Sequence, residues 1–264
     1  DRIAIEERKI PSIDLMERFH VPGFIYDAPL ADDFIDLAKV SGLPELPIQR
    51  GAGHPLNEKA AGYRVAEKLG GKYSDYNFII CHLGGGITVN AHAKGKIIDS
   101  HINAFSPERA GALPMVAFTK KCFSGDWDYD TAFKRQMGGG GLVAYLGTSD
   151  VQEVERRIDA GDKDADFYFD AMIYQIAKDI GGMATVMNGE VDRVILTGEI
   201  ARSQRLVERL RRRVIDLALV RTPFPSHGFL TQMLPSQPML AIWDSARWDL
   251  CVENHGLALD QLAA

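Results

Sequence analysis

Apolar and polar positions alternate most clearly between residues 78 and 101, where the chain reads FIICHLGGGITVNAHAKGKIIDSH. An apolar run, 78–81, leads through His82 into Gly84, Gly85 and Gly86. Beyond them Ile87, Val89 and Ala91 alternate with Thr88, Asn90 and His92. A period of two predicts a strand with one buried face. Lys94-Gly95-Lys96 then turns the chain into a further strand over 97–100. Adjacent glycines let a backbone bend sharply and aim N–H groups at an anion, and they serve a plain tight turn equally well.

Before this hairpin the pattern is broken. Residues 1–20 fit short helices interrupted at Pro11. Residues 21–26 read as a strand ending at Asp27, where sheets of α/β proteins hold ligands, although an aspartate there also caps a following helix. Residues 32–40 predict a helix. A loop holding Pro44, Pro47, Gly51 and Gly53 delivers His54 to the start of a helix that runs to about residue 69. Leu56, Ala60, Val65 and Leu69 are its expected core positions. A histidine at a helix N-terminus has a lowered proton affinity and lies where anions bind.

After the hairpin, residues 103–114 form an irregular loop carrying Arg109, which either clamps an anion or pairs with an acid such as Glu108. Short helices are expected over 116–123 and 131–137. The second stops at Gly138 to Gly141, glycines that lack the lysine of a Walker loop and read as a flexible turn. Residues 142–146 are ambiguous. Asp150 with Glu153 matches a capping box for a helix ending near Gly161. The longest helix spans 164–188, with Ala165, Phe169, Met172, Ile176 and Ile180 on one stripe. Its Gly181-Gly182 pair either weakens it or allows close packing. A buried strand over 191–197 runs into Gly198. A helix over 201–217 follows, with Leu206, Val207, Leu210 and Val214 inward and Arg209, Arg211, Arg212 and Arg213 late in it. Beyond residue 219, Pro223, Pro225, Pro235 and Pro238 punctuate a tail with no clear period.

Composition narrows the function. The 264 residues are 46% apolar, enough for one or two cores. A net charge of −6 gives no support to a nucleic-acid surface. Cys81, Cys122 and Cys251 are too scattered for a metal site and fit a reducing compartment. No apolar run approaches a membrane span, and the first residues lack a signal-peptide pattern. The expected location is the cytoplasm.

The strings HLGGGITVNAHAKGKIID and FSPERAGALP resemble butyrate kinase and its branched-chain carboxylate relatives. These belong with acetate kinase in the superfamily of sugar kinases, Hsp70 and actin. FIYDAP, SGLPE, HPLNEKA, GGLVAYLGTSD and VILTGEIARS follow in the family's order, over roughly residues 20–215. The resemblance implies an α/β fold of ribonuclease-H-like domains, with mixed sheets flanked by helices. It divides the chain into a remnant of an incomplete first domain (1–75), a second domain (76–219) and an atypical tail (220–264). It implies phosphoryl transfer between ATP and a short-chain carboxylate, butanoate with ATP giving butanoyl phosphate and ADP, with Mg²⁺ as cofactor.

By motif, the resemblance makes Asp27 catalytic and metal-facing, and makes His54 and Arg109 stabilisers of the transferred group. It places His82, Gly84, Gly85 and Gly86 at the phosphate turn, and Gly198, Glu199 and Ile200 on the nucleotide side. Partners are then a small carboxylate and an adenine nucleotide, with neither nucleic acid nor membrane, in a homo-oligomer such as a dimer. The chain departs from the family in its missing Ser-Thr-Lys opening turn. It also has Glu199 where the family has glycine, a carboxylate expected to crowd or repel nucleotide. A non-catalytic nucleotide-binding or dimerisation module, or an inactive fragment, is the alternative reading.

Overall fold

A computed structural model describes residues 18–20, 33–46, 53–101 and 104–214, and the strand segments 217–221, 230–233 and 239–243. The strand expected over 21–26, and Asp27 with it, lie outside the described residues.

The centre is a mixed sheet. Strands β1 (Asn77–Leu83), β2 (Ile87–Ala93) and β3 (Lys96–His101) form an antiparallel meander. Strand β4 (Arg193–Thr197) joins β1 in parallel, giving the order β3-β2-β1-β4. As an edge strand β4 is half exposed rather than buried: of its five residues only Ile195 is buried.

Helices cover both faces. Helix α1 (Pro55–Lys68) packs on one, with Ala61, Ala66, Phe78, Ile80 and Ile195 between them. In chain order α2 (Met115–Cys122), α3 (Tyr129–Gln136), α4 (Gly141–Leu146), α5 (Val151–Asp159), α6 (Lys163–Val186) and α7 (Gln204–Val214) follow the meander. Helix α6 lays Ala165, Phe169, Met172, Ile173, Ile176, Ile180 and Met183 on the other face, against Ile79, Cys81, Leu83, Ile87, Val89 and Ala91. Its expected stripe is therefore the core. Asp162 starts α6 by accepting from the Asp164 and Ala165 N–H groups. Gly181 and Gly182 face open space, so they weaken the helix and serve no close packing.

Several expectations need correction. Within the helix expected over 32–40, the described residues from 33 onward form only a 3₁₀ turn, Asp36–Lys39. The Ile35 N–H is tied to the Ile98 carbonyl, and Phe34 packs on Ile97 while Leu37 is exposed. So little burial cannot offset the cost of nucleating a longer helix. In α1 the buried positions are Pro55, Glu58, Ala61, Gly62 and Ala66, whereas Leu56 and Leu69 are exposed. The tail contains strands β5 (Leu217–Arg221), β6 (Leu230–Met233) and β7 (Met239–Trp243), in the order β5-β7-β6. The four prolines named above lie outside the described residues.

Three arginines of α7 serve neighbouring carboxylates. Arg209 reaches Asp166 and Asp170 on α6, Arg205 reaches Asp159, and Arg212 pairs with Glu208. Among the described residues no helix is long and apolar enough to cross a membrane.

Phe169→Ala is expected to lower the unfolding free energy by about 3–5 kcal/mol through lost burial and a residual cavity. Gly182→Ala is expected to raise it by about 0.5–1 kcal/mol. Urea unfolding followed by circular dichroism measures both.

Candidate active site

Three segments converge beside the carboxyl end of β1. The first is the start of α1, where His54 occupies the N-cap position and Pro55 the first helical turn. The second is the end of β1, which carries His82 into the glycines. The third is the loop 104–111.

Hydrogen bonds fix that loop to the glycine bend. The Ser106 hydroxyl donates to the Gly85 carbonyl at 2.7 Å and accepts from the Arg109 N–H at 3.0 Å. The Glu108 N–H also donates to Gly85, at 3.1 Å. Gly138 to Gly141 support the loop from behind, and are no mere flexible turn. Gly138 and Gly140 donate to the Glu108 carbonyl, and Leu142 to that of Ser106. Gly141 has φ +62°, and a Cβ there would lie 1.9 Å from the Ser106 oxygen. Backbone contact this close admits no side chain.

The bend at residues 84–86 needs glycine for room. None of its residues has positive φ. A Cβ on Gly86 would meet Arg109 Cζ at 2.6 Å, and one on Gly85 would meet the Glu108 carboxylate at 3.0 Å. The guanidinium thus lies against the bend. The Gly84 N–H is already used by the Gly86 carbonyl at 3.2 Å. Gly84 therefore does not offer that donor to a ligand as the bend stands.

The His54 and His82 rings stack, with centroids 3.9 Å apart and planes 21° from parallel. Burial, then the charge of Arg109, lowers the His54 pKa below its ordinary 6.5. Burial, then the neighbouring His54, pushes His82 down to about 4. Stacked imidazoles repel when both are charged, so both are neutral near pH 7. His82 Nδ1 is buried without a hydrogen-bond partner among the described residues.

Behind His54 is a group the sequence reading missed. Glu58, one turn further along α1, is fully buried. It meets the polar side of β2, where Thr88, Asn90 and His92 are also fully buried. The alternation along β2 thus marks a strand buried on both faces. Thr88 Oγ1 lies 2.6 Å from Glu58 Oε1, Asn90 Nδ2 donates to Oε2, and His92 Nε2 lies 3.2 Å from Oε2. His92 Nδ1 bonds in turn to the Tyr73 hydroxyl. Burial raises Glu58 to about 8, the bonds from Thr88 and Asn90 opposing it. Burial lowers His92 to about 3. A helical spacing that places Glu58 between Pro55, Ala61 and Gly62 was the available sequence signal.

Beside His82 is a cleft of about 490 Å³, lined by Asn57, His82, Thr197, Gly198, Glu199 and Arg202. A second hollow of about 430 Å³ shares Glu199 and Arg202 and adds Gly85, Glu108, Ile200 and Ser203. Gly198 has φ +90°, and its Cβ would lie 2.4 Å from the Leu83 carbonyl oxygen. Glu199 is helical at φ −67°, ψ −45°, so the backbone accepts a side chain there. Its carboxylate shares the cleft with the Arg202 cation. Among the described residues no three of His, Cys, Asp or Glu cluster to hold a metal.

A mixed sheet clasped by helices, with glycine turns at the ends of its parallel strands, has the fold shared by sugar kinases, Hsp70 and actin. The Porphyromonas gingivalis acetate kinase structure matches it with TM-score 0.67 at 21% identity, covering 83% of this chain and 56% of that one. A propionate kinase from Francisella tularensis matches with TM-score 0.62 at 19% identity, covering 76% and 52%.

In sequence, residues 124–220 match the acetokinase family. A protein from Listeria welshimeri named a probable butyrate kinase is 44% identical over 202 residues, covering 74% of this chain and 56% of its own length. Its Listeria innocua counterpart is 43% identical over the same length. The chain carries an acetokinase family domain, and spans just over half the length of these curated relatives.

Glu58 makes stability depend on pH with a defined sign. Between its ordinary 4.5 and about 8 the folded protein holds a proton that the unfolded chain releases. Its contribution is complete below 4.5 and is lost as pH rises toward 8. His101, raised chiefly by its bond to Asp179, slopes the same way, so wild type alone is ambiguous. Glu58→Gln keeps the hydrogen bonds without titrating. Its unfolding free energy relative to wild type is expected to climb steadily between about pH 5 and pH 8, as read by urea titrations across that range.

Proposed function

We propose that this chain performs phosphoryl transfer between ATP and a short-chain carboxylate, with butanoate as the substrate. The observation that carries the reading is the Arg109 guanidinium packed on Gly86 beside the His54–His82 stack. The acetokinase family domain supplies the reaction class.

A carboxylate oxygen attacks the γ-phosphorus and forms the new P–O bond. The bond to the bridging oxygen breaks, and its electron pair leaves on ADP. The carboxylate is already anionic, so no base is required. The burden is neutralising charge on the three equatorial oxygens and holding donor and acceptor in line. Arg109 offers two parallel N–H donors, and His54 a single imidazole donor from the opposite segment. His82 shapes the cleft floor. Gly198, Glu199 and Ile200 border the space assigned to nucleotide, where Arg202 offsets the Glu199 charge. Mg²⁺ would neutralise nucleotide phosphates when bound. Asp27 is the residue assigned to face it, as well as the carboxylate.

A second reading, a self-associating module, draws on α2, which buries none of its residues and exposes Met115, Val116 and Phe123.

The direct test incubates the folded, purified chain with ATP, Mg²⁺ and butyrate, and traps acyl phosphate with hydroxylamine. Hydroxamate is expected, and Arg109→Lys is expected to lose roughly 100-fold in kcat because the fork becomes a point charge. A folded sample without hydroxamate rejects the kinase reading, and sedimentation then decides whether the chain self-associates.

A further inference from the structure

The proposed kinase reading asks His54 to donate a hydrogen bond to the phosphoryl group, yet burial and Arg109 keep its ring neutral. A neutral imidazole carries one N–H, and which nitrogen holds it decides whether it can donate. His54 Nδ1 lies 3.5 Å from Thr88 Oγ1, a long contact of the kind that tightens on ligand binding. Thr88 Oγ1 is in turn 2.6 Å from Glu58 Oε1. The hydroxyl therefore stands between the imidazole and the buried carboxyl.

Counting hydrogens leaves two arrangements. With Glu58 ionised, Thr88 spends its hydrogen on Oε1 and can only accept from His54. The imidazole then carries its proton on Nδ1, and Nε2 presents a lone pair to an anion. With Glu58 protonated on Oε1, that O–H donates to Thr88, and Thr88 donates to His54 Nδ1. The imidazole then carries its proton on Nε2 and is a donor.

The rest of the network is satisfied in either arrangement, and full burial of the Glu58 carboxyl favours the second, uncharged one. Glu58 Oε2 accepts from Asn90 Nδ2 and from His92 Nε2. A neutral His92 with its proton on Nε2 has a bare Nδ1, which the Tyr73 hydroxyl fills as donor. Every one of these contacts then has one donor and one acceptor. We propose that Glu58, carrying its proton, is a positioning residue that fixes the donating tautomer of His54 through the Thr88 hydroxyl.

The charged and titratable surroundings are few. On α1 itself are His54 and Lys59, the latter disfavouring charge on His92. Strand β2 contributes His92, and a separate 3₁₀ turn, Tyr73–Asp75, contributes Tyr73. Strand β1 contributes the Cys81 thiol, whose pKa burial, then Glu58 and Asp179, push up. On β4 the titratable Arg193 is exposed. Arg109 and His82 face His54 from the loop and from β1. The contacts that the Glu58 carboxyl makes with Thr88, Asn90 and His92 are to groups that are neutral here.

The test is a two-dimensional ¹H–¹⁵N spectrum of the full chain labelled with ¹⁵N-histidine, with His54→Asn to assign the signal. At about pH 6.5 His54 is expected to carry its proton on Nε2. Above the Glu58 value of about 8 the ratio of tautomers is expected to swing roughly tenfold toward Nδ1–H. Glu58→Gln donates permanently from its amide and is expected to hold Nε2–H across the whole range. Thr88→Val is expected to abolish the pH swing. A wild-type ratio that does not move between about pH 6.5 and 9, or an Nδ1–H form at the lower end, overturns the proposal even if no variant folds. The spectrum needs no turnover, so it is decided separately from the hydroxamate assay.

Discussion

The candidate site depends on one close approach, the loop 104–111 lying on the glycine bend after β1. The Ser106 hydroxyl is its pivot, holding the Gly85 carbonyl on one side and the Arg109 N–H on the other. Because residues 85 and 86 lack side chains, a guanidinium can rest where a methyl group would otherwise stand. Hydrogen bonds thus fix the backbone from which the Arg109 side chain springs, and the guanidinium packs against Gly86. In the proposed reaction such preorganisation would let charge stabilisation act without first reorganising the site.

The sheet carries two kinds of interior. Toward α6 it is apolar and closely packed, the usual source of stability. Toward the start of α1 it is polar, with Glu58, Thr88, Asn90 and His92 all sealed from water. Burying such groups is unfavourable unless each finds a partner. They are gathered directly behind His54, so the polar interior and the site share one hydrogen-bonded frame.

What the sequence disclosed follows from this division. Where apolar periodicity ran long, as with Phe169, Met172 and Ile176 on α6, the reading matched the fold, whereas on the shorter α1 it picked Leu56 and Leu69, which are exposed. The meander and the strand before Gly198 were legible for the same reason. The polar interior misled it, because Thr88, Asn90 and His92 look like a solvent face until a carboxylate is placed opposite them. Glu58 in a helix reads as surface, and only its register against Pro55 and Ala61 says otherwise. The glycines at 138–141 looked like slack because their function is to admit the carbonyls of a loop some thirty residues earlier. Nothing local records such a contact. Strands β5 to β7 are four or five residues long, too short to display a period.

The parallel pairing of β1 with β4 has a consequence for how the molecule comes into being. Phe78 lies beside Arg193 and His82 beside Thr197, partners separated by more than a hundred residues of intervening chain. The meander can close from neighbouring sequence, but β4 joins only after α2 to α6 have been made. Contacts of such long range are slow to form, since loop closure must precede any gain. The cleft between His82 and Gly198 therefore comes into existence at a late step of synthesis. Until then a growing polypeptide on the ribosome exposes one flank of β1 as an unpaired ladder, open to neighbouring chains.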